Sequence, residues 1–305
     1  MMSRRHRQRG IALMLVMWVL TLLTVMAVSL TASQRTESSL TENHVSAARF
    51  RALADAAIAY TALHFMTQSA LVEEETGTLW RPSGSPRTWS FAGSDLSIVV
   101  YNESSRYNLN QVQPEVLANL LEVLGVETEE ASALAAAIVD WRDEDDLALL
   151  DGAEDADYEQ AGRAIGAKDA PYEAVEELRQ VLGMTQDIYR RLAPEVTVDA
   201  NSGPEERFAS PAVLATLRGV SLDEALEEIA ERDQPRVPDA TSALAVDRGG
   251  PLYRIRVSEG DPGGSGQRME ALFQLFSGQQ PPYQILWRRY GVGAAEDWRP
   301  SEIEE

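Results

Sequence analysis

Cysteine is absent from all 305 residues, so the chain has no disulfide staples, no thiolate metal site and no thiol nucleophile. Histidine is almost as scarce: His6, His44 and His64 are the whole supply. The last two lie far from any serine and aspartate arrangement that reads as a catalytic triad, and zinc loses its usual nitrogen and sulfur ligands. There is no phosphate loop, dinucleotide fingerprint or nucleophile elbow. No aromatic lining selects a pair of carboxylates for glycoside chemistry. Basic residues are outnumbered, 27 Lys and Arg against 48 Asp and Glu, and the formal net charge is −21. Such a surface repels phosphate backbones, so nucleic acid is not an expected partner. These absences point away from an enzyme and toward a structural component.

Charge is also missing locally. Ile11 to Gln34 carries no charged side chain, and it follows directly on Arg4-Arg5-His6-Arg7-Gln8-Arg9-Gly10. Its core, IALMLVMWVLTLLTVMAVSL, is twenty residues long, which as a helix spans roughly 30 Å, the thickness of the hydrocarbon layer. Arginines at 4, 5, 7 and 9 and none beyond until Arg35 would hold the N-terminus in the cytoplasm and send the rest outward. A cleaved secretory signal begins in the same way. The small residue Gly10 precedes the apolar run, however, and a cut there would leave the run on the mature protein. The small residues between Ala27 and Ala32 keep the signal-peptide alternative open.

Thr36 to Thr67 contains neither proline nor glycine and has apolar residues near helical spacing, which predicts one long helix from Ile11 to about Gln68. Two separate helices are the alternative. The second half is amphipathic and should lie on a sheet through Phe50, Leu53, Ala57, Tyr60 and Leu63. Gly77 to Pro86 reads as loop and Ser97 to Tyr101 as a buried strand. Strand pattern then disappears for about 150 residues by the same alternation test. It returns where Tyr253, Ile255 and Val257 alternate with polar residues, then at Met269 to Phe276 and at Tyr283 to Tyr290. Gly260 to Gly266 is a hairpin-loop signal.

A long helix on a short antiparallel sheet is an α+β arrangement, here interrupted by a helical block from roughly Tyr107 to Arg236. Within it Val123-Leu124-Gly125-Val126, Val181-Leu182-Gly183-Met184 and Leu217-Arg218-Gly219-Val220 each end an apolar-periodic helix with glycine, which suits a left-handed C′ position. Ser221 and Glu224 make a capping box for the next helix. Hairpins of this kind occur in helix-hairpin-helix and SAM-like domains. This block is acidic and has no basic helix end for phosphate, so a packing scaffold is the expected role.

Inside the block, Asp140 to Gln160 reads DWRDEDDLALLDGAEDADYEQ, ten carboxylates against the single Arg142. Repulsion among them raises each carboxyl pKa unless water, counter-ions or a metal relieves it. Calcium suits a dense set of hard oxygen ligands, although the EF-hand spacing is absent. A solvated acidic loop is the other reading.

Two sets of residues carry a family resemblance. Arg9-Gly10 followed by Ile11-Ala12-Leu13 resembles the cleavage site of type IV pilins and of the pseudopilins of type II secretion, which a prepilin peptidase cuts after the glycine. The mature chain would then begin at Ile11. Its fifth residue would be Leu15, where most members have a glutamate that pairs with a neighbouring N-terminal amine. The K-type minor pseudopilins lack that glutamate and have an unusually large globular part. Asp140-Trp141-Arg142-Asp143-Glu144-Asp145, Gly152-Ala153-Glu154-Asp155 and Tyr158 are similar to that family's acidic stretch. Tyr107-Asn108-Leu109-Asn110 resembles its Asn-rich opening and Glu177-Leu178-Arg179 its Glu-Leu-Arg motif, whereas Asn201 to Phe208 matches poorly.

The resemblance implies a pilin-like fold interrupted by an inserted all-α, SAM-like or helix-hairpin-helix-like domain. It divides the chain into a leader at 1–10, a transmembrane part at 11–34, a periplasmic helix and first strands at 35–106, the insert at 107–236 and C-terminal strands at 237–305. It further implies calcium on Asp143, Asp145, Glu154 and Asp155. Asp151 and Asp157 are added by position, Asp140 is left to cap or to pair with Arg142, and Trp141 and Tyr158 are expected to pack the core. The implied setting is a single pass through the bacterial inner membrane, with the I-type and J-type minor pseudopilins as partners and a capping role at the pseudopilus tip. A membrane-anchored, calcium-dependent binding module for cargo or envelope proteins is the competing function.

Overall fold

The computed structural model of the chain describes residues 9–66, 80–201, 203–233, 248–260, 266–276 and 278–291. The uncharged segment and the amphipathic one that follows form a single helix, α1 (Arg9–Met66), so the two-helix alternative is set aside. The chain divides into a unit of residues 1–53 and another of residues 54–305. In the first, Leu13–Leu30 is long and apolar enough to cross a membrane, and Leu15, Trp18, Leu22 and Met26 are exposed. Its threonines do not break the helix, because Thr21 and Thr24 donate their hydroxyls to the carbonyls of Met17 and Leu20 at 2.7 and 2.8 Å. Phe50 and Leu53 are buried.

In the second unit the end of α1 buries Ala54, Ala57, Ile58, Thr61, Ala62 and Phe65, one face at helical spacing. Tyr60 is half-buried and stacks on Trp89 at 4.5 Å. Phe65 meets Tyr253 edge-on at 5.1 Å, and Asp55 pairs with Arg288 at 2.6 Å. Leu63, expected inward, is 64% exposed; it sits about half a turn away from Thr61 and Phe65, on the opposite side of the helix.

Among the described residues the sheet beneath has five antiparallel strands, β1 (Arg87–Phe91), β2 (Ser94–Asn102), β5 (Leu252–Glu259), β6 (Arg268–Leu275) and β7 (Tyr283–Tyr290), in the order β1-β2-β5-β6-β7. Register places Ile98 opposite Val257, Val100 opposite Ile255 and Ile255 opposite Ala271. All of these are buried, and each fully buried aliphatic side chain contributes ~1.5–3 kcal/mol. The other face is polar, carrying Arg254, Arg256 and Glu270. The four expected strands are present. β1 escapes the pattern search because its residues alternate only half-buried with exposed.

The insert leaves the sheet at the end of β2 and returns at the start of β5, and Asn102 pairs with Tyr253. A block whose two ends are neighbours can be added without disturbing the host sheet. It holds α2 (Pro114–Val123), α3 (Thr128–Asp140), α4 (Asp155–Gln160), α5 (Gln186–Leu192), α6 (Pro211–Arg218) and α7 (Leu222–Arg232). It also holds a short parallel pair, β3 (Tyr107–Asn108) with β4 (Val196–Thr197), which the sequence pattern does not reveal. The helices share a core that includes Leu117, Leu120, Leu121, Ile138, Leu178, Leu192 and Val213.

Gly125 and Gly219 turn the chain after α2 and α6 at φ +83° and +64°, a region that costs other residues ~1–2 kcal/mol. Gly183, with φ +83°, follows a 3₁₀ helix (Val175–Gln180) rather than an α-helix. The Ser221 hydroxyl accepts the Glu224 N–H at 3.2 Å and the Glu224 carboxylate accepts the Ser221 N–H at 2.9 Å, completing the expected capping box.

Candidate metal centre

The acidic stretch is organised by Asp140, the last residue of α3. Its side chain is fully buried and accepts the N–H groups of Leu149 at 3.2 Å and Ala153 at 2.8 Å, which folds the loop back onto the helix end. Gly152 permits this closure, because a Cβ there would overlap the Asp140 carboxylate. The loop then enters α4 with Glu154 at the cap, where the Asp157 carboxylate accepts the Glu154 N–H at 3.0 Å.

This closure gathers Asp140, Asp143 and Glu154, with one carboxylate oxygen from each lying within 4.8 Å of the others. Asp143 Oδ1 and Glu154 Oε1 are buried and have no hydrogen-bond partner among the described residues. Arg142 does not pair with Asp140; its Nη2 donates to the Val112 carbonyl at 2.7 Å. Burial first, and the neighbouring carboxylates second, raise the Glu154 pKa to about 7. Burial also lifts Asp143, with Asp140 and Asp145 adding to the shift. Asp140 is raised by burial against the pull of its two backbone donors.

The donor set fits a hard cation. Calcium takes oxygens at about 2.3–2.6 Å, so ligand oxygens on opposite sides of one ion stand up to roughly 5 Å apart, which accommodates the observed grouping. The buried, unpartnered oxygens of Asp143 and Glu154 are what such an ion would satisfy.

Asp143 and Glu154 are the two expected ligands that the fold brings together. Asp145, Asp151, Asp155 and Asp157 lie outside the group. Asp145 accepts the Leu147 N–H at 2.9 Å, Asp157 serves the α4 cap, Asp155 stands against Gly166, and Asp151 is exposed in a turn at φ +62°. Asp140, the third member of the group, is not among the expected ligands. The available signal was an acidic residue ending a helix, where the dipole disfavours negative charge. Trp141 and Tyr158 are buried with ring centroids 5.9 Å apart, and the Tyr158 hydroxyl accepts the Leu182 N–H at 3.0 Å.

The other motifs brace this region. Asn110 exchanges hydrogen bonds with the Tyr172 backbone at 2.9 and 2.7 Å, and the Tyr172 hydroxyl donates to Ile138 at 2.9 Å. Glu177 pairs with Lys168 at 2.8 Å, and the Arg179 guanidinium lies 4.1 Å over the Tyr189 ring. In α1, Leu15 is exposed. Gly10 and Ile11 fall in its first turn, and their side-chain surroundings lie outside the described residues.

The end of a long N-terminal helix laid on an antiparallel sheet, with a helical block inserted between two neighbouring strands, defines a pilin-like α+β protein. Residues 96–200 match the family described as Type II secretion system (T2SS), protein K. Over 211 residues the chain is 30% identical to the type II secretion system protein K of Klebsiella pneumoniae, covering 63% of each chain. It is 28% identical to that of Pectobacterium carotovorum subsp. carotovorum, covering 65% of this chain and 66% of the relative. The match thus spans just under two thirds of those relatives. The fold is similar to a chain of the GspK-GspI-GspJ complex from enterotoxigenic Escherichia coli, with TM-score 0.50, 17% identity, and coverage of 81% of this chain and 99% of that one. Residues 96–200 thus carry a domain of the type II secretion system protein K family.

Proposed function

We propose that the chain is a minor pseudopilin that works mechanically rather than catalytically. It is held in the bacterial inner membrane by the start of α1, with the globular part in the periplasm, until it assembles with I-type and J-type minor pseudopilins at the pseudopilus tip. The observation that supports this best is α1 itself, one continuous helix with an exposed apolar first half. Those side chains are stable only in lipid or against other helices. Leu15 offers no carboxylate to the N-terminal amine of an adjoining subunit, and an insert of this size would obstruct a subunit stacked above, so both favour a terminal, capping position.

Replacing Gly10 with a bulkier residue tests the reading. The chain should remain uncut by prepilin peptidase, seen as slower mobility on a gel, and secretion should stop. Normal secretion with the uncut chain would refute the pseudopilin role and leave the anchored binding module.

Calcium at Asp140, Asp143 and Glu154 is the second part of the proposal. Bound there, it would supply positive charge to a crowded carboxylate set and fasten the loop after α3 to the start of α4. Millimolar calcium should raise the melting temperature of the purified chain by several degrees, and a chelator should reverse the rise. An unchanged melting curve would remove calcium from the account.

A further inference from the structure

A cleft of about 270 Å³ lies between the polar face of the sheet and the insert, remote from the acidic centre in its residues and opposite in charge. Among the described residues four arginines line it, Arg106, Arg191, Arg232 and Arg256, against a single carboxylate, Glu195, in a chain whose net charge is −21. Three of the arginines have acidic partners: Arg191 with Asp187 at 2.6 Å, Arg232 with Asp233 at 2.9 Å and Arg256 with Glu270 at 2.9 Å. Arg106 is different. Its nearest carboxylate, Glu103 at 3.8 Å, is already held by Arg254 through two hydrogen bonds, and Glu270 also serves Arg254 at 3.8 Å. Arg106 thus shares Glu103 with Arg254 rather than holding it alone.

Arg106 is 4% exposed, and its Nη1 is buried without a hydrogen-bond partner among the described residues, as is Arg191 Nε. A buried guanidinium donor left unmade costs more than an ordinary hydrogen bond returns, and Arg106 and Arg191, which carry one each, both belong to the lining of the cleft. Tyr101, Phe208 and Ile229 supply apolar wall, which suits a carbon skeleton and does nothing for a fully hydrated inorganic anion.

We infer that this cleft binds a carboxylate, from either a free organic acid or an acidic side chain of a peptide, with Arg106 and Arg191 as its donors. The guanidinium fork matches a carboxylate in shape and charge. Glu195, held by the Ser210 hydroxyl, sits in the same lining and repels the incoming group.

Isothermal titration calorimetry on the full chain in detergent tests this, with citrate, a blocked Gly-Glu-Gly peptide and inorganic phosphate as probes. Heat from citrate alone assigns a free acid, and heat from the peptide assigns an acidic side chain. Arg106→Gln and Arg191→Gln should each weaken binding by about ten-fold or more, the loss of one charge-assisted hydrogen bond, while Glu195→Gln should tighten it several-fold. If Arg106→Gln fails to fold, by its circular dichroism spectrum, Arg191→Gln and the cleft-filling Ile229→Trp carry the test. The inference is overturned if neither citrate nor the peptide binds at millimolar concentration, if phosphate binds as well as both, or if the folded arginine variants bind unchanged.

Discussion

Glu154 shows how a single residue couples the acidic centre to stability. Its folded pKa is raised from the ordinary value of 4.5 to about 7, so between those values the folded chain holds a proton that the unfolded chain releases. Stability of the metal-free chain should therefore fall as pH rises from about 4.5 to about 7, the reverse of the usual carboxylate behaviour. Thermal melts in chelator across that range should show the decline, and Glu154→Gln, which cannot ionise, should flatten it. A melting temperature that rises over the same range would contradict the crowding of Asp140, Asp143 and Glu154. Composition alone announced a dense set of carboxylates here. It could not single out Asp140, since that choice depends on the N–H groups of Leu149 and Ala153, supplied by a loop closure that no local pattern encodes.

The elements were far more legible. Helical spacing foretold α1 as one run, and alternation foretold β5 through Tyr253, Ile255 and Val257, because a side chain's face follows directly from the backbone period. The error within α1 came from phase: Leu63 is apolar yet faces outward, while Ile58, absent from the expected inward set, is fully buried. Ile58→Ala should cost about 2–5 kcal/mol in urea unfolding, from lost transfer energy and the cavity left behind. Leu63→Ala should stay within ~0.5 kcal/mol. Equal effects would place the buried face of the helix incorrectly. β1, β3 and β4 were not foreseen because an edge strand and a two-residue pair carry too few alternations to register.

At the scale of the whole molecule, the insert and the sheet are joined by buried charge. Glu103 accepts hydrogen bonds from Arg254 on β5 and from Thr197 on β4, the latter at 2.6 Å. Burial alone would raise the Glu103 pKa, but Arg254 and Arg106 overcome it and hold it at about 2. Its contribution is therefore complete above pH ~4.5, the unfolded value, and is lost as pH falls toward 2. Glu103→Gln leaves Arg254 buried without its counter-charge and should destabilise the chain at neutral pH by about 3–5 kcal/mol. In urea unfolding that difference should shrink below pH 4; a gap that stays constant would mean the pair contributes no charge interaction.

By itself the sequence determined the uncharged helix, the strand alternation, the glycine-ended hairpins and the motifs that resemble those of the protein K family, because each is written in neighbouring residues through backbone period and steric preference. Only the tertiary structure decided which charges meet. Asp140 joins Asp143 and Glu154 by loop closure, and Arg106, Arg191, Arg232 and Arg256 share one cleft because the insert is folded back over the polar face of the sheet. Convergence of that kind depends on contacts between residues up to about 150 positions apart, whose partners are set by packing and desolvation rather than by spacing along the chain.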